Sequence, residues 1–355
     1  MKEGWTLRSF AECVNKIPKQ RQVKSKDYLP SGLFPIVSQE KELISGYWND
    51  EDFLYKHEKP IVIFGDHTKE IKFVDFDFVV GADGTQILYP KENIDTKFFY
   101  YALLATPLRT LGYARHFKLL KEKSFFIPDL PIQQRIAERL DSAFENIDKM
   151  KANAEKQLTE ARILFQKSLA KAMEPKEGWE EKTLPDISEN LDSIRVPVTK
   201  KDRTEGKYPY YGASGIVDYV DDYLFDEDLL LISEDGANLL MRTYPIAFSV
   251  SGKIWVNNHA HALRFKDMAT QKYVEYFFAS LKLDEYISGA AQPKLTQKAL
   301  NSIPIYIPSD VAEQQRIVER LDSLSENVRK YEEIQRQIIS ECDALKQALL
   351  RKVFE

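Results

Sequence analysis

Residues 133–149 read QQRIAERLDSAFENIDK, and residues 314–330 read QQRIVERLDSLSENVRK. Twelve of these 17 aligned positions are identical at a constant offset of 181, so the chain carries an internal repeat. The offset holds without a gap to the end: Glu160 falls on Glu341, Leu164 on Leu345, Leu169 on Leu350 and Glu174 on Glu355. A second echo marks where each copy begins, with Lys2-Glu3-Gly4-Trp5 returning as Lys176-Glu177-Gly178-Trp179. The chain is two tandem copies of one unit, each a variable region followed by a well-matched helical stretch. The helices read as a frame and the variable regions as two different readers. Two such units can close around a pseudo-two-fold axis with the chain ends close together.

Neither Gly nor Pro occurs in 133–174 or in 314–355, which suits a long helix in each copy. In the second copy Leu321, Val328, Cys342 and Leu349 fall seven or fourteen apart, with Leu324, Tyr331, Ile338 and Leu345 three positions further on. This heptad seam is interrupted by Gln335. The first copy offers Leu140, Ile147, Ala154 and Ala161 beside Ala143, Met150, Gln157 and Leu164. A helix of about 40 residues is roughly 60 Å long and cannot bury such a seam alone. The expected partner is the other copy, running antiparallel. Polar positions repeat as strictly as apolar ones: Gln133, Gln134, Arg135, Glu138, Arg139, Asp141 and Ser142 all recur. A merely exposed face would tolerate substitutes. Gln133, Gln134, Arg135 and Arg139, with Gln314, Gln315, Arg316 and Arg320, are therefore candidates for two equivalent docking sites, occupied by two copies of one partner.

A net charge of −5 does not suggest a protein wrapped in nucleic acid, but the distribution does. Lys16, Lys19, Arg21, Lys24 and Lys26 form one basic run, and Arg109, Arg115, Lys118, Lys121 and Lys123 another. The second copy has Arg195, Lys200, Lys201, Arg203 and Lys207. Cys13 and Cys342 fit neither a disulfide framework nor a metal spacing, which suits a reducing cytosol. No apolar stretch is long enough to span a membrane, and no signal peptide is evident.

Both variable regions read as strands, an aromatic helix and a Gly-containing loop leading to Ile-Pro (127–128 and 307–308). The helices are TKFFYYALLATPLRTL (96–111) and TQKYVEYFFASLKLDEYI (270–287). The loops after them, GYARHFKL (112–119) and GAAQPKLT (289–296), each place a guanidinium or an amide after the glycine and then a lysine before leucine, which pairs Arg115 with Gln292 and Lys118 with Lys294. Arg and Gln can contact guanine and adenine edges bidentately, and Lys can neutralise phosphate. The candidates for DNA contact are His67, Thr68, Lys69, Arg115, His116 and Lys118 in the first copy. In the second they are Asn238, Arg242, Asn257, Asn258, His259, Gln292 and Lys294.

Catalytic signatures are missing. There is no Asn-Pro-Pro-Tyr methylation motif, no glycine-rich nucleotide loop and no Walker A sequence. His259 and His261 stand two apart, as metal ligands on one strand face would, but no third ligand is evident and no metal is expected. Asp226, Glu234 and Asp235 lack the lysine that a nuclease site would place nearby. An adaptor whose coiled coil assembles something else would show no salt-sensitive DNA binding. An autonomous nuclease would cleave DNA in a metal-dependent way.

The two IP…QQRI…ERLD blocks, each heading a helix that ends in KSLAKAME or QALLRKVFE, resemble the DNA-specificity subunits of type I restriction–modification systems. YPYYGASGIVDYV (208–220), LISEDGANL (231–239), NNHAHALRF (257–265) and GAAQPKLT carry the resemblance in the second copy. GDHTKEIKFVDFDFVVGADGT (65–85) and GYARHFKLL are similar to another recognition-domain subtype. The second block departs slightly, with one extra residue before its Gln-Gln.

The resemblance implies an α+β fold: two α/β target-recognition domains separated by two long antiparallel helices in a pseudo-two-fold tandem repeat. The domains would be 1–132 and 176–313, and the spacer helices 133–175 and 314–355. Each domain would read one half of a split, asymmetric double-stranded DNA target. Half-sites one turn apart lie roughly 34–36 Å from each other, within reach of such a spacer. Two methyltransferase subunits would dock on the frame and motor-nuclease restriction subunits would join them. The resemblance implies no catalytic residue and no cofactor in this chain; S-adenosylmethionine, ATP and magnesium would belong to the partners. It also implies a cytoplasmic protein with no membrane partner.

Overall fold

The computed structural model describes residues 4–110, 112, 114–289 and 292–355. Lys2, Glu3 and Tyr113, and Ala290 and Ala291 of the second loop, lie outside the described residues. The chain forms two compact units, one of residues 1–155 with 336–355 and the other of residues 156–335. Each unit holds one recognition domain and a stretch of both long helices.

Alternating apolar residues build the same antiparallel sheet in each domain. In the first domain its order is Val14–Asn15, Thr85–Pro90, Ile61–Gly65, Ile71–Val74. In the second it is Ser188–Asn190, Ala260–Phe265, Leu229–Ser233, Ala247–Val250. The central strands IVIFG and LLLIS are buried along their whole length, which explains their unbroken apolar runs. The aromatic helices span Thr96–Ala105 and Met268–Ser280 and pack on these sheets. Phe98, Phe99 and Leu103 meet Val62, Phe64 and Leu88 in one core; Tyr273, Val274 and Phe278 meet Leu230, Ile232 and Leu263 in the other. Burying each such side chain contributes about 1.5–3 kcal/mol.

Helix starts are fixed by sequence in the same way. Asp95 and Asp267 cap the aromatic helices, accepting from the amides of Phe98 and Thr270 at 2.8 Å each. The long helices run Leu130–Ala172 and Val311–Phe354. In the first unit they run antiparallel, since Asp148 meets Lys346 and the later Lys151 meets the earlier Asp343. In the second unit Arg162 pairs with Glu332 at 2.8 Å, while Leu169 shares a core with Val318 and Leu321.

Burial runs deeper along one of the two expected lines than along the other. Leu140, Ile147, Ala154, Leu321 and Cys342 are buried, but Met150, Leu164, Tyr331 and Leu345 are exposed. The chain's ends meet as the repeat suggests. Trp5 and Phe354 both pack against Phe98, at centroid distances of 6.1 and 5.3 Å. In the other unit Met173 and Trp179, which stand one repeat from Phe354 and Trp5, join one core.

Candidate nucleic-acid interface

The repeated polar residues of the helices divide into two sets. Gln133 and Gln314 are only 1% and 4% exposed, so they cannot form a docking surface. Each lies over the join between helix and recognition domain. Gln133 Nε2 donates to the Pro128 carbonyl at 2.8 Å, and its Oε1 accepts from the Asp95 amide at 2.8 Å. Gln314 Nε2 donates to the Pro308 carbonyl at 2.7 Å, and its Oε1 accepts from the Thr270 hydroxyl at 2.9 Å. The extra residue of the second block lies between Pro308 and the helix start at Val311, so both glutamines keep the same place in their helices. Asp141 and Asp322 are also structural: they accept from the Tyr101 and Tyr276 hydroxyls at 2.5 Å each. Burial, reinforced by those carboxylates, pushes both phenols well above their ordinary range.

The second set is exposed. Gln134, Arg135, Glu138, Arg139 and Ser142 form one stripe of the first helix, and Gln315, Arg316, Glu319, Arg320 and Ser323 repeat it on the second. Their spacing of i, i+1, i+4, i+5 and i+8 keeps each stripe on one helical face.

At one end of each main sheet three loops converge. In the first domain they are 66–70, 83–84 and 114–116, with Thr110. The Asp66 amide donates to the Gly84 carbonyl at 2.8 Å, the His116 amide donates to the Asp66 carbonyl at 2.7 Å, and Lys69 reaches the Thr110 hydroxyl at 2.8 Å. In the second domain they are 234–236, 257–259 and 292–295, with Ser288. The Glu234 amide donates to the His259 carbonyl at 2.9 Å, and the Leu295 amide donates to the Glu234 carbonyl at 2.8 Å.

This correspondence changes the alignment of the two readers. The bond from His116 to Asp66 is the counterpart of the bond from Leu295 to Glu234. Arg115 therefore matches Lys294, not Gln292. The short helices that follow, Phe117–Lys121 and Gln297–Asn301, each carry an exposed lysine at their second position. Lys118 thus matches Lys298, a residue the glycine-anchored alignment missed.

Arg115, Lys118, Thr68, Asn258, His259, Gln292 and Lys294 stand exposed around these loops. His67 and Lys69 are half-buried, and Lys69 adopts a left-handed φ of 64°. The Thr68 hydroxyl donates to the Gln39 carbonyl at 2.6 Å, so part of its capacity is spent within the fold. Four other candidates spend their side chains on bonds within the domains. His116 is 1% exposed, its ring against the Asp66 carbonyl. Asn257 is buried and accepts from the His259 amide at 2.8 Å. Asn238 makes both side-chain bonds to the backbone of Tyr244. Arg242 spends its guanidinium on the Phe278 and Leu281 carbonyls, closing the end of the aromatic helix. Burial lowers its pKa. The nearby Leu240, Met241 and Tyr244 are exposed hydrophobic side chains.

His261 does acquire carboxylate neighbours. Its Nδ1 lies 2.6 Å from Asp192 and 3.8 Å from Glu234, and the ligand atoms of the three residues fall within 4.8 Å of one another. The other ring nitrogen faces the Leu295 carbonyl at 2.9 Å. Two cations share the same carboxylates: Arg195 lies 3.2 Å from Asp192 and 2.8 Å from Glu234, and Lys294 lies 3.1 Å from Glu234. Burial would raise both acids. The histidine and Arg195, with Lys294 at Glu234, outweigh it and hold both below the ordinary range. The charges are already balanced, so a divalent ion would have to displace Arg195 or Lys294. His259 pairs instead with Asp235 at 2.9 Å.

A family profile described as the type I restriction modification DNA specificity domain matches this chain twice, over residues 2–160 and 176–338. The chain belongs to that family. As a specificity protein its task is DNA target recognition rather than catalysis, and it works with DNA and with other subunits of a type I system. It is 35% identical over 144 residues to a putative type I restriction enzyme specificity subunit of Haemophilus influenzae, a match spanning 41% of this chain and 37% of that relative. It is 26% identical over 339 residues to the EcoR124I/EcoR124II specificity subunit of Escherichia coli, covering 86% of this chain and 82% of that one. Its fold is similar to a chain solved in work on complex assembly and conformational transition of the type I R-M system. There the TM-score is 0.75 at 18% identity, over 99% of this chain and 98% of the other. It is also similar to the HsdS subunit from Thermoanaerobacter tengcongensis, with TM-score 0.59 at 19% identity, over 100% and 97%. Among the described residues no helix is long and apolar enough to cross a membrane.

Proposed function

We infer that the chain reads a bipartite, asymmetric DNA sequence, one half per recognition domain, and directs cytoplasmic methyltransferase and motor-nuclease subunits to it. The observation that carries this reading is the convergence, in both domains, of three loops with exposed cations and amides at one end of the main sheet. Arg115 supplies a bidentate donor and Gln292 a paired donor and acceptor for base edges, and Lys118, Lys294 and Lys298 supply phosphate neutralisation. The loops differ in length and composition, which gives two different half-sites.

The exposed helical stripes offer two equivalent docking sites for two methyltransferase subunits. Catalytic cofactors (S-adenosylmethionine, ATP and magnesium) then belong to those partners and to the restriction subunits. Co-expression with a methyltransferase subunit, followed by native mass measurement and single-molecule sequencing of host DNA, tests both statements. The expected outcome is a complex with two methyltransferase copies and a methylated split motif that appears only with this chain. Reversing charge at Arg135 and Arg139, or at Arg316 and Arg320, should each remove one copy. A soluble complex with no new motif would overturn the recognition reading, and two copies retained in both variants would overturn the docking assignment.

A further inference from the structure

The two recognition domains share a device that spans distant parts of each sequence. In each, an acid just beyond the end of a central strand holds the exposed cation of the loop that follows the aromatic helix. In the first domain Asp66 follows the strand Ile61–Gly65, with its side chain 4% exposed. Its carbonyl accepts from the His116 amide and its carboxylate from the Phe117 amide at 2.8 Å. Arg115, 66% exposed, brings its guanidinium to 3.9 Å from that carboxylate. In the second domain Glu234 follows Leu229–Ser233, with its side chain 13% exposed. Its carbonyl accepts from the Leu295 amide at 2.8 Å, and its carboxylate lies 3.1 Å from the ammonium of Lys294, which is 49% exposed.

The acid and base stand 49 residues apart in one domain and 60 in the other, and the neighbouring residues differ. What recurs is the geometry: backbone amide to acid carbonyl, preceding cation to acid carboxylate. A buried acid beside a surface cation contributes little as a surface ion pair would, but it restricts where the loop and its cation can point.

We propose that Asp66 and Glu234 are positioning residues for target recognition, each fixing the pose of one reading loop and thereby the stringency of one half-site. This rests on the reading that these loops face DNA. Neither acid would touch the DNA; each acts through Arg115 or Lys294. The consequence is a domain-specific loss of discrimination without loss of assembly.

The test uses the full chain in its complex with methyltransferase subunits. Host DNA from cells expressing wild type, Asp66→Asn or Glu234→Gln is sequenced for methylated adenine. Each substitution keeps the side-chain shape and removes the charge. Asp66→Asn should relax one half of the split motif by about tenfold in preference, equivalent to about 1.4 kcal/mol, and leave the other half intact. Glu234→Gln should do the converse. The unaffected half reports that the chain folds and assembles. Lys294→Met is a surface substitution and serves if Glu234→Gln fails to assemble. It should relax the same half-site, and the double variant should be no worse than either single one.

A wild-type split motif left unchanged by both acid substitutions would overturn the proposal, as would uniformly weaker methylation with both halves still stringent. Absence of any split motif in wild type would instead count against the recognition reading itself.

Discussion

The two recognition domains have the same sheet and the same join to the helices, but different surroundings for the loop cation. In the second domain Glu234 is one member of a network with Asp192, Arg195, His261 and Lys294, tied to the loop by the His261 contact to Leu295. In the first domain Asp66 holds Arg115 at longer range, and Asp83 of the neighbouring turn shares the guanidinium at 3.7 Å. The difference teaches that a common frame does not require a common way of stiffening its reading loops. What the frame needs is constant: Gln133 and Gln314 are repeated because each closes the same seam between strand end, aromatic helix and spacer helix.

The largest test of this comparison is in the cores. Phe98→Ala and Phe278→Ala should each destabilise their own unit by about 3–5 kcal/mol. Hydrogen exchange should show lost protection in the affected sheet and retained protection in the other. Equal loss in both sheets would mean that the two units unfold as one.

Removing the buried amides should cost less. Gln133→Ala and Gln314→Ala should each destabilise by about 1–3 kcal/mol in urea titrations, because backbone or hydroxyl partners lose their bond. Near-equal losses would sharpen the equivalence of the two joins; a large inequality would break it. For the DNA surface, Lys118→Ala and Lys298→Ala should each reduce the slope of log affinity against log salt by about 1, across all sequences. An effect of Lys118 without one of Lys298 would restore the glycine-anchored alignment.

The smallest effect concerns acid. Asp192 and Glu234 have folded-state pKa values below their ordinary ones. Their contribution to stability is therefore present above the unfolded pKa of about 4 and is lost as pH falls through the folded value. Protection of the Leu295 amide in the second domain should persist at neutral pH and decline below about pH 4. Asp192→Asn should flatten that decline; an unchanged acid limb would remove Asp192 from the network's role.

The frame was legible in the sequence because Gly- and Pro-free stretches with strict repetition leave one reading. The aromatic helices were legible from their periodicity and their position before Ile-Pro. One of the four docking candidates in each copy departs from the expectation, since Gln133 and Gln314 look like surface residues until Pro128 and Pro308 are seen to present carbonyls to them. The loop cations were misaligned because glycines gave the register, whereas the structure sets it by the strand end that receives the loop amide. Asn238 and Arg242 suit bases by type, but their partners, Tyr244 and the end of the aromatic helix, are local details that type does not reveal. The acids that hold the loops lie 49 and 60 residues from their cations, and only the fold brings them together.

The most direct test of the division of labour is photo-crosslinking on the methylated split target. A photoreactive amino acid is placed at Arg115 in one protein and at Gln292 in another, each assembled with methyltransferase subunits. Crosslinks mapping to opposite halves of the target, one for each position, are the predicted result. Crosslinks from both positions to the same half, or to neither, would contradict the claim that each domain reads its own half-site.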